Sequence, residues 1–279
     1  MTNPSPPQLS AGARHRYDPV GFCIYCLDKH SALSDEHIIP YAMAGDALVL
    51  PKSSCLKCAA ITGAFEQRYL KATLGLFRNR IGAPTRNPDQ RSPVPEVGIG
   101  RRTGRGPLRD SGERIRVSVS DLPTAYLALK LNPPGILVGN APSKAIDGEI
   151  WIKQSGGENA LRLVSRRREG LHLASIHPLT FGRFLAKVAH SYAVADLGFG
   201  SFRPLLLDLI QGKSEAVSYL VGGATEMPPA DDNTFVLRAG WGTIRDMTYA
   251  IVELRLYAEL ATPQYLVVVG IRNANPPVP

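Results

Sequence analysis

Apolar and polar positions along this chain fall into short runs of period two and two longer runs of period near 3.6. "HII" at 37–39 is apolar and β-branched, "AGD" at 44–46 is a turn signal, and "ALVLP" at 47–51 runs back. Together they predict strand, turn and strand. "AAITGAFEQRYLKATLGLFRNR" then sets Phe65, Tyr69, Ala72 and Leu76 at i, i+4, i+7 and i+11, a helix packing its apolar side on that hairpin. Further on, "RIRVSVSD", "EIWIKQ" and "LRLVS" read as strands, the last two around a Gly-Gly turn. "PLTFGRFLAKVAHSYAVADLG" is the strongest helix, with Phe181, Phe184, Leu185, Val188 and Tyr192 on one side and Gly198 as a stop. Opposite them, Arg183, Lys187 and His190 form a stripe expected to face solvent. "TFVLRAG", "TYAIVELRLYAEL" and "QYLVVVGIRN" are further strands, the last an unbroken apolar run suited to a central position.

The succession predicts an α+β protein in zones: a flexible Pro-rich segment over 1–20, a small unit over 21–86, a linker over 87–112 and a larger α+β domain over 113–279. The linker, "NPDQRSPVPEVGIGRRTGRGPLRDSG", is rich in Pro, Gly and Arg and lacks an apolar period. Composition, 44% hydrophobic and 20% charged, fits a globular chain and excludes a disordered one. No apolar run approaches the roughly 18 residues that cross a bilayer, and the N-terminus has no signal-type apolar segment. A cytoplasmic protein without membrane contact is expected. The net charge of +8 favours a polyanionic partner.

All four cysteines fall in one stretch, as C-x-x-C twice: Cys23 and Cys26, then Cys55 and Cys58, with 28 residues between the pairs. Two such knuckles supply the four-thiolate tetrahedral shell of a structural Zn²⁺, and a closed shell leaves no position for water or substrate. The other reading, a redox pair, calls for a thioredoxin-like strand-to-helix setting that "FCIYCLDKHSA" lacks. Chemistry is therefore sought between the knuckles, where "DEH" places Asp35 and Glu36 directly before His37.

With "DEHIIP" followed by C-x-x-C and a helix, the segment from Cys23 to about Arg86 resembles the HNH endonuclease family. The resemblance implies a ββα-metal fold that hydrolyses phosphodiester bonds, here of double-stranded DNA. It implies a single divalent ion, Mg²⁺ or Mn²⁺, stabilising the phosphorane, with His37 as general base and Glu36 as a ligand of that ion. Asp35, on His37's face by strand alternation, either orients the imidazole or lies in solvent. Two features depart from the family. The residue after the second C-x-x-C, often an Asn or His that completes the metal site, is Ala59, and the family's central asparagine has no match. Glu66, two turns beyond Ala59 on the same face, is the candidate substitute, with Thr62 in support. Two turns is roughly 11 Å of rise, so Glu66 implies a shifted ion.

For holding nucleic acid the candidates are Arg78, Arg80 and Arg86 at the end of the predicted helix. Beside them stand Arg101, Arg102 and Arg105 in the linker, continued by Arg109, Arg114 and Arg116. Arg166, Arg167 and Arg168 read as a solvated turn, and His177 and His190 do not make a metal pair. The C-terminal domain carries no motif; it is left to set target choice, to form a homodimer or to bind a protein partner. Three functions are weighed: a metal-dependent endonuclease, a non-catalytic zinc module that binds nucleic acid, and a structural zinc module presenting the rest of the chain to a protein.

Overall fold

The computed structural model describes residues 14–102, 108–165 and 169–274. Arg105, Arg166, Arg167, Arg168, residues 1–13 and the Pro-rich end after Ala274 lie outside them, as do the side chains of Arg102 and Arg109.

The N-terminal part begins with β1 (His15–Arg16) and β2 (Leu33–His37), then a single-turn helix α1 (Tyr41–Ala44), β3 (Leu48–Cys55), α2 (Leu56–Ala72) and α3 (Gly75–Arg80). β3 lies between β1, which it pairs in parallel, and β2, which it pairs antiparallel. The expected order of strand, turn, strand and helix is present, but β2 is "LSDEH" and stops at His37. Pro40 is the reason: it cannot donate to a ladder, and α1 follows it at once. The stretch 14–20, expected to be flexible, is tied down, since His15 and Arg16 pair with Leu48 and Val49 and Tyr17 and Val20 pack on the core.

The presumed linker is not one. β4 (Glu96–Arg102) and β5 (Leu108–Arg116) form an antiparallel pair across it. Next come β6 (Thr124–Leu131), α4 (Gly135–Val138), β7 (Gly148–Ser155), α5 (Glu158–Ser165) and β8 (Glu169–His172), which joins the free edge of β4. α5 replaces the strand expected at "LRLVS". Among its described side chains Ala160 and Val164, one turn apart, are buried, and Glu158 sits in its first turn, where an acid suits a helix.

The centre of the molecule is α6 (Pro178–Leu197) against an antiparallel sheet of β9 (Phe202–Pro204), β10 (Val221–Gly223), β11 (Phe235–Ile244), β12 (Met247–Leu256) and β13 (Tyr265–Arg272). β13 has β12 on one side and β10 and β9 on the other, the central place its apolar run predicts. α6 packs α2 on one side and this sheet on the other, so it is buried nearly all round. That overturns the solvent stripe: Lys187 and His190 are buried, and Arg183 is half-buried, donating to the carbonyl of Ile210 at 2.6 Å. A Cβ at Gly182 would overlap a methyl of Val217, a measure of how closely α6 is packed.

Packing also runs across the boundary expected between 21–86 and 113–279. Tyr69 of α2 stacks on Phe181 and Phe184 of α6, with centroids 5.4 and 4.5 Å apart, and Phe181 reaches Tyr265 of β13 at 5.4 Å. One contiguous buried cluster holds Ile24, Phe65 and Phe77 together with Tyr126, Leu185 and Val267.

Candidate functional site

Cys55 ends β3 and Cys58 lies in the first turn of α2, while Cys23 and Cys26 flank a tight turn closed by the Leu27 amide donating to the Cys23 carbonyl at 2.8 Å. The four sulfurs all lie within 4.8 Å of one another, and those of Cys26 and Cys55 are 3.7 Å apart. Bonds of about 2.3 Å in a tetrahedron place sulfurs about 3.8 Å apart. All four thiols are free of disulfides, and the cluster is compatible with zinc. Burial pushes the Cys58 thiol well up, a tendency that a bound cation would oppose. The second C-x-x-C does open a helix after a strand, the setting of a redox pair. Convergence of four sulfurs, not two, separates the cases.

His37 sits at the end of β2, its side chain 21% exposed. Its Nε2 is 3.0 Å from Asp46 Oδ1, a partner supplied by the turn that returns the chain into β3. Gly45 makes that turn with φ of +62° and ψ of −138°, a conformation costly for any residue with a Cβ. Asp35 does not orient the imidazole. The register of β2 on β3 shifts between Ser34 and Glu36, and Asp35 instead pairs with Arg16 at 2.6 Å and accepts from the Lys52 amide. The Arg16 guanidinium holds the Asp35 carboxyl below its ordinary range.

Glu36 and Glu66 do come together, through a residue the sequence pattern assigned to solvent. Lys187 reaches up from α6 with its side chain 1% exposed, and its Nζ pairs with Glu36 Oε1 and, at 2.7 Å, with Glu66 Oε1. The same nitrogen donates to the backbone carbonyls of His37 at 2.5 Å and Ile38 at 3.4 Å. Burial alone would lower the lysine, and the two carboxylates more than reverse it, so its pKa stands above the ordinary value. Burial pushes Glu36 up; Lys187 draws it back and Glu66 pushes it up again, leaving it above the usual range. With two carboxylates on one ammonium, Lys187 is charged.

Above this triad opens a cleft of about 440 Å³ lined by Glu36, His37, Tyr41, Thr62, Glu66 and Arg86, among others. Ala59 lines it too, presenting a methyl group. Thr62 gives its hydroxyl to the Ala59 carbonyl at 3.3 Å instead of to Glu66. Of the arginines singled out, Arg86 lines this cleft, its guanidinium 5.0 Å from the centre of the Tyr41 ring. Arg78 donates to the Ala42 carbonyl at 2.6 Å and fastens the N-terminal part internally, while Arg80 donates to that of Leu122 at 3.0 Å and ties this part to the chain between β5 and β6. Arg101 pairs with Glu113 and Glu169, Arg114 with Asp110, and Arg116 with Glu96, which ties the expected basic arm into a charge-paired sheet.

The side chains present do not fit a resident Mg²⁺ or Mn²⁺. Among the described residues the four thiols are the one group of three or more metal-type ligands that converges; Glu36, His37, Asp46 and Glu66 do not form a second. The two carboxylates are already neutralised in part by Lys187. Sequence reasoning missed Lys187 and Asp46. The signal for Asp46 was the "AGD" turn that follows the histidine; for Lys187 the spacing of polar and apolar residues along the helix carried none.

Comparison with protein-family models, with curated proteins and with solved structures finds no match for this chain. Among the described residues no helix is long and apolar enough to cross a membrane.

Proposed function

We propose that the cleft is the reactive centre of a phosphodiester hydrolase of the HNH kind, acting on DNA in the cytoplasm. The observation that carries this reading is the His37–Asp46 pair at a cleft built on a thiol-stapled hairpin and helix. With Nε2–H donating to Asp46, Nδ1 keeps a lone pair and is the nitrogen able to take a proton from water. The water oxygen then attacks phosphorus, the P–O bond to the leaving oxygen breaks, and that oxygen takes up a proton from solvent. Arg86 supplies positive charge at the cleft for a phosphate. Zinc in the four-cysteine site would hold the hairpin and helix in register and take no part in the reaction.

A second reading, nucleic-acid binding without cleavage, is favoured by the methyl group of Ala59 and by the ion pairing of Glu36 and Glu66. Incubating zinc-loaded protein with supercoiled plasmid separates them. Hydrolysis predicts nicking that falls about 10²- to 10⁴-fold in His37→Ala, with zinc content and circular dichroism unchanged and a smaller loss in Asp46→Asn. Equal nicking by native and His37→Ala protein would remove His37 as the base. Retention of plasmid that weakens with salt, without nicking, would establish the second reading.

A further inference from the structure

We infer that Lys187 is the built-in cation of this cleft, an ammonium standing where a divalent ion would otherwise bind, so that the native site takes up no Mg²⁺ or Mn²⁺. The assignment rests on reading the cleft as the reactive site, since only there does its cation matter.

Four oxygens surround one nitrogen: Oε1 of Glu36, Oε1 of Glu66, and the backbone carbonyls of His37 and Ile38. An all-oxygen shell with two carboxylates is the donor set that a hard divalent cation takes. Here the set closes on a side chain that arrives from α6, 150 residues away from the carbonyl of His37. Its side chain is 1% exposed, against 8% for Glu36 and 17% for Glu66. Lys187 therefore lies beneath the carboxylates and meets neither solvent nor substrate.

Two consequences follow from charge. Two carboxylates and one ammonium leave a single net negative charge, which attracts a divalent ion far less than two would. One oxygen of each acid is also ion-paired to an ammonium that is itself out of contact with solvent. Lys187 is thus a positioning residue: it fixes the two acids and, through the carbonyl of His37, the end of the strand that carries the base.

Electron paramagnetic resonance of Mn²⁺ added to zinc-loaded protein, without nucleic acid, tests this. Native protein is expected to leave the free Mn²⁺ signal undiminished at millimolar ion. Lys187→Ala exposes the acid pair and is expected to bind Mn²⁺ at least about tenfold tighter than native, with Mn²⁺ or Mg²⁺ raising the melting temperature of the variant and not of the native chain. Should Lys187→Ala not fold alone, recovery of its folded spectrum on adding Mn²⁺ is the same positive result. Binding of Mn²⁺ by native protein that Glu36→Gln or Glu66→Gln abolishes would overturn the inference. Ion binding is read here without any cleavage, so an inactive cleft leaves this result standing, while metal binding by the native chain would leave His37 free to act as the base.

Discussion

His37 and His190 show how differently one side chain behaves in two places 153 positions apart. His37 stands at a cleft with a carboxylate on one ring nitrogen. His190 is completely buried; its Nε2–H donates to the Ile24 carbonyl at 2.9 Å, its Nδ1 has no partner, and the rings of Tyr25 and Phe202 lie 5.8 and 6.4 Å away. Burial lowers its pKa from 6.5 to about 4. Between those values the unfolded chain takes up a proton that the folded chain refuses, so stability is full above the unfolded value and falls as pH drops towards 4. From about pH 7 to pH 5 this histidine should cost about 2 kcal/mol of unfolding free energy. Urea titrations at both pH values check it: His190→Gln should show a shallower decline than the native chain, and because both carry the same four thiols, any loss of zinc cancels in the comparison. Equal declines would mean that His190 titrates alike in both states.

Helix α6 is the element in which sequence and structure diverge most. Its limits were readable, with Pro at the start and Gly198 at the end, and so was its apolar side. Its polar residues misled because spacing alone cannot tell a solvated lysine from one whose counter-charges arrive from another part of the chain. β3 and α2 were legible because each is periodic within itself; the end of β2 at His37 and the register shift at Asp35 were not, because they depend on Pro40 and on the partner strand. Tight packing of α6 gives a prediction at this scale. Gly182→Ala forces the new methyl against Val217 and should cost about 1–3 kcal/mol, seen as a lower melting temperature without loss of zinc. A neutral or stabilising Gly182→Ala would show that Val217 can withdraw.

For the whole molecule, the convergence of the four cysteines was readable from their spacing, and the four sulfurs lie together in a cluster compatible with zinc. What the pattern could not give was the partner of α2, since an amphipathic helix shows that it has a buried face and not what covers it. That cover is α6, through Tyr69, Phe181 and Phe184. Residues 14–86 expressed alone and loaded with zinc should therefore fail to give a dispersed proton NMR spectrum, whereas the full chain should give one. A well-dispersed spectrum from the fragment would show that zinc and the hairpin suffice.

The reach of Lys187 from α6 to the carbonyl of His37 also bears on protein engineering. Transplanting the cysteine-rich segment onto a foreign scaffold would leave behind the ammonium that keeps Glu36 and Glu66 together. A chimera needs a lysine grafted at the matching height on whatever helix it receives, or it inherits two mutually repelling acids beneath its histidine.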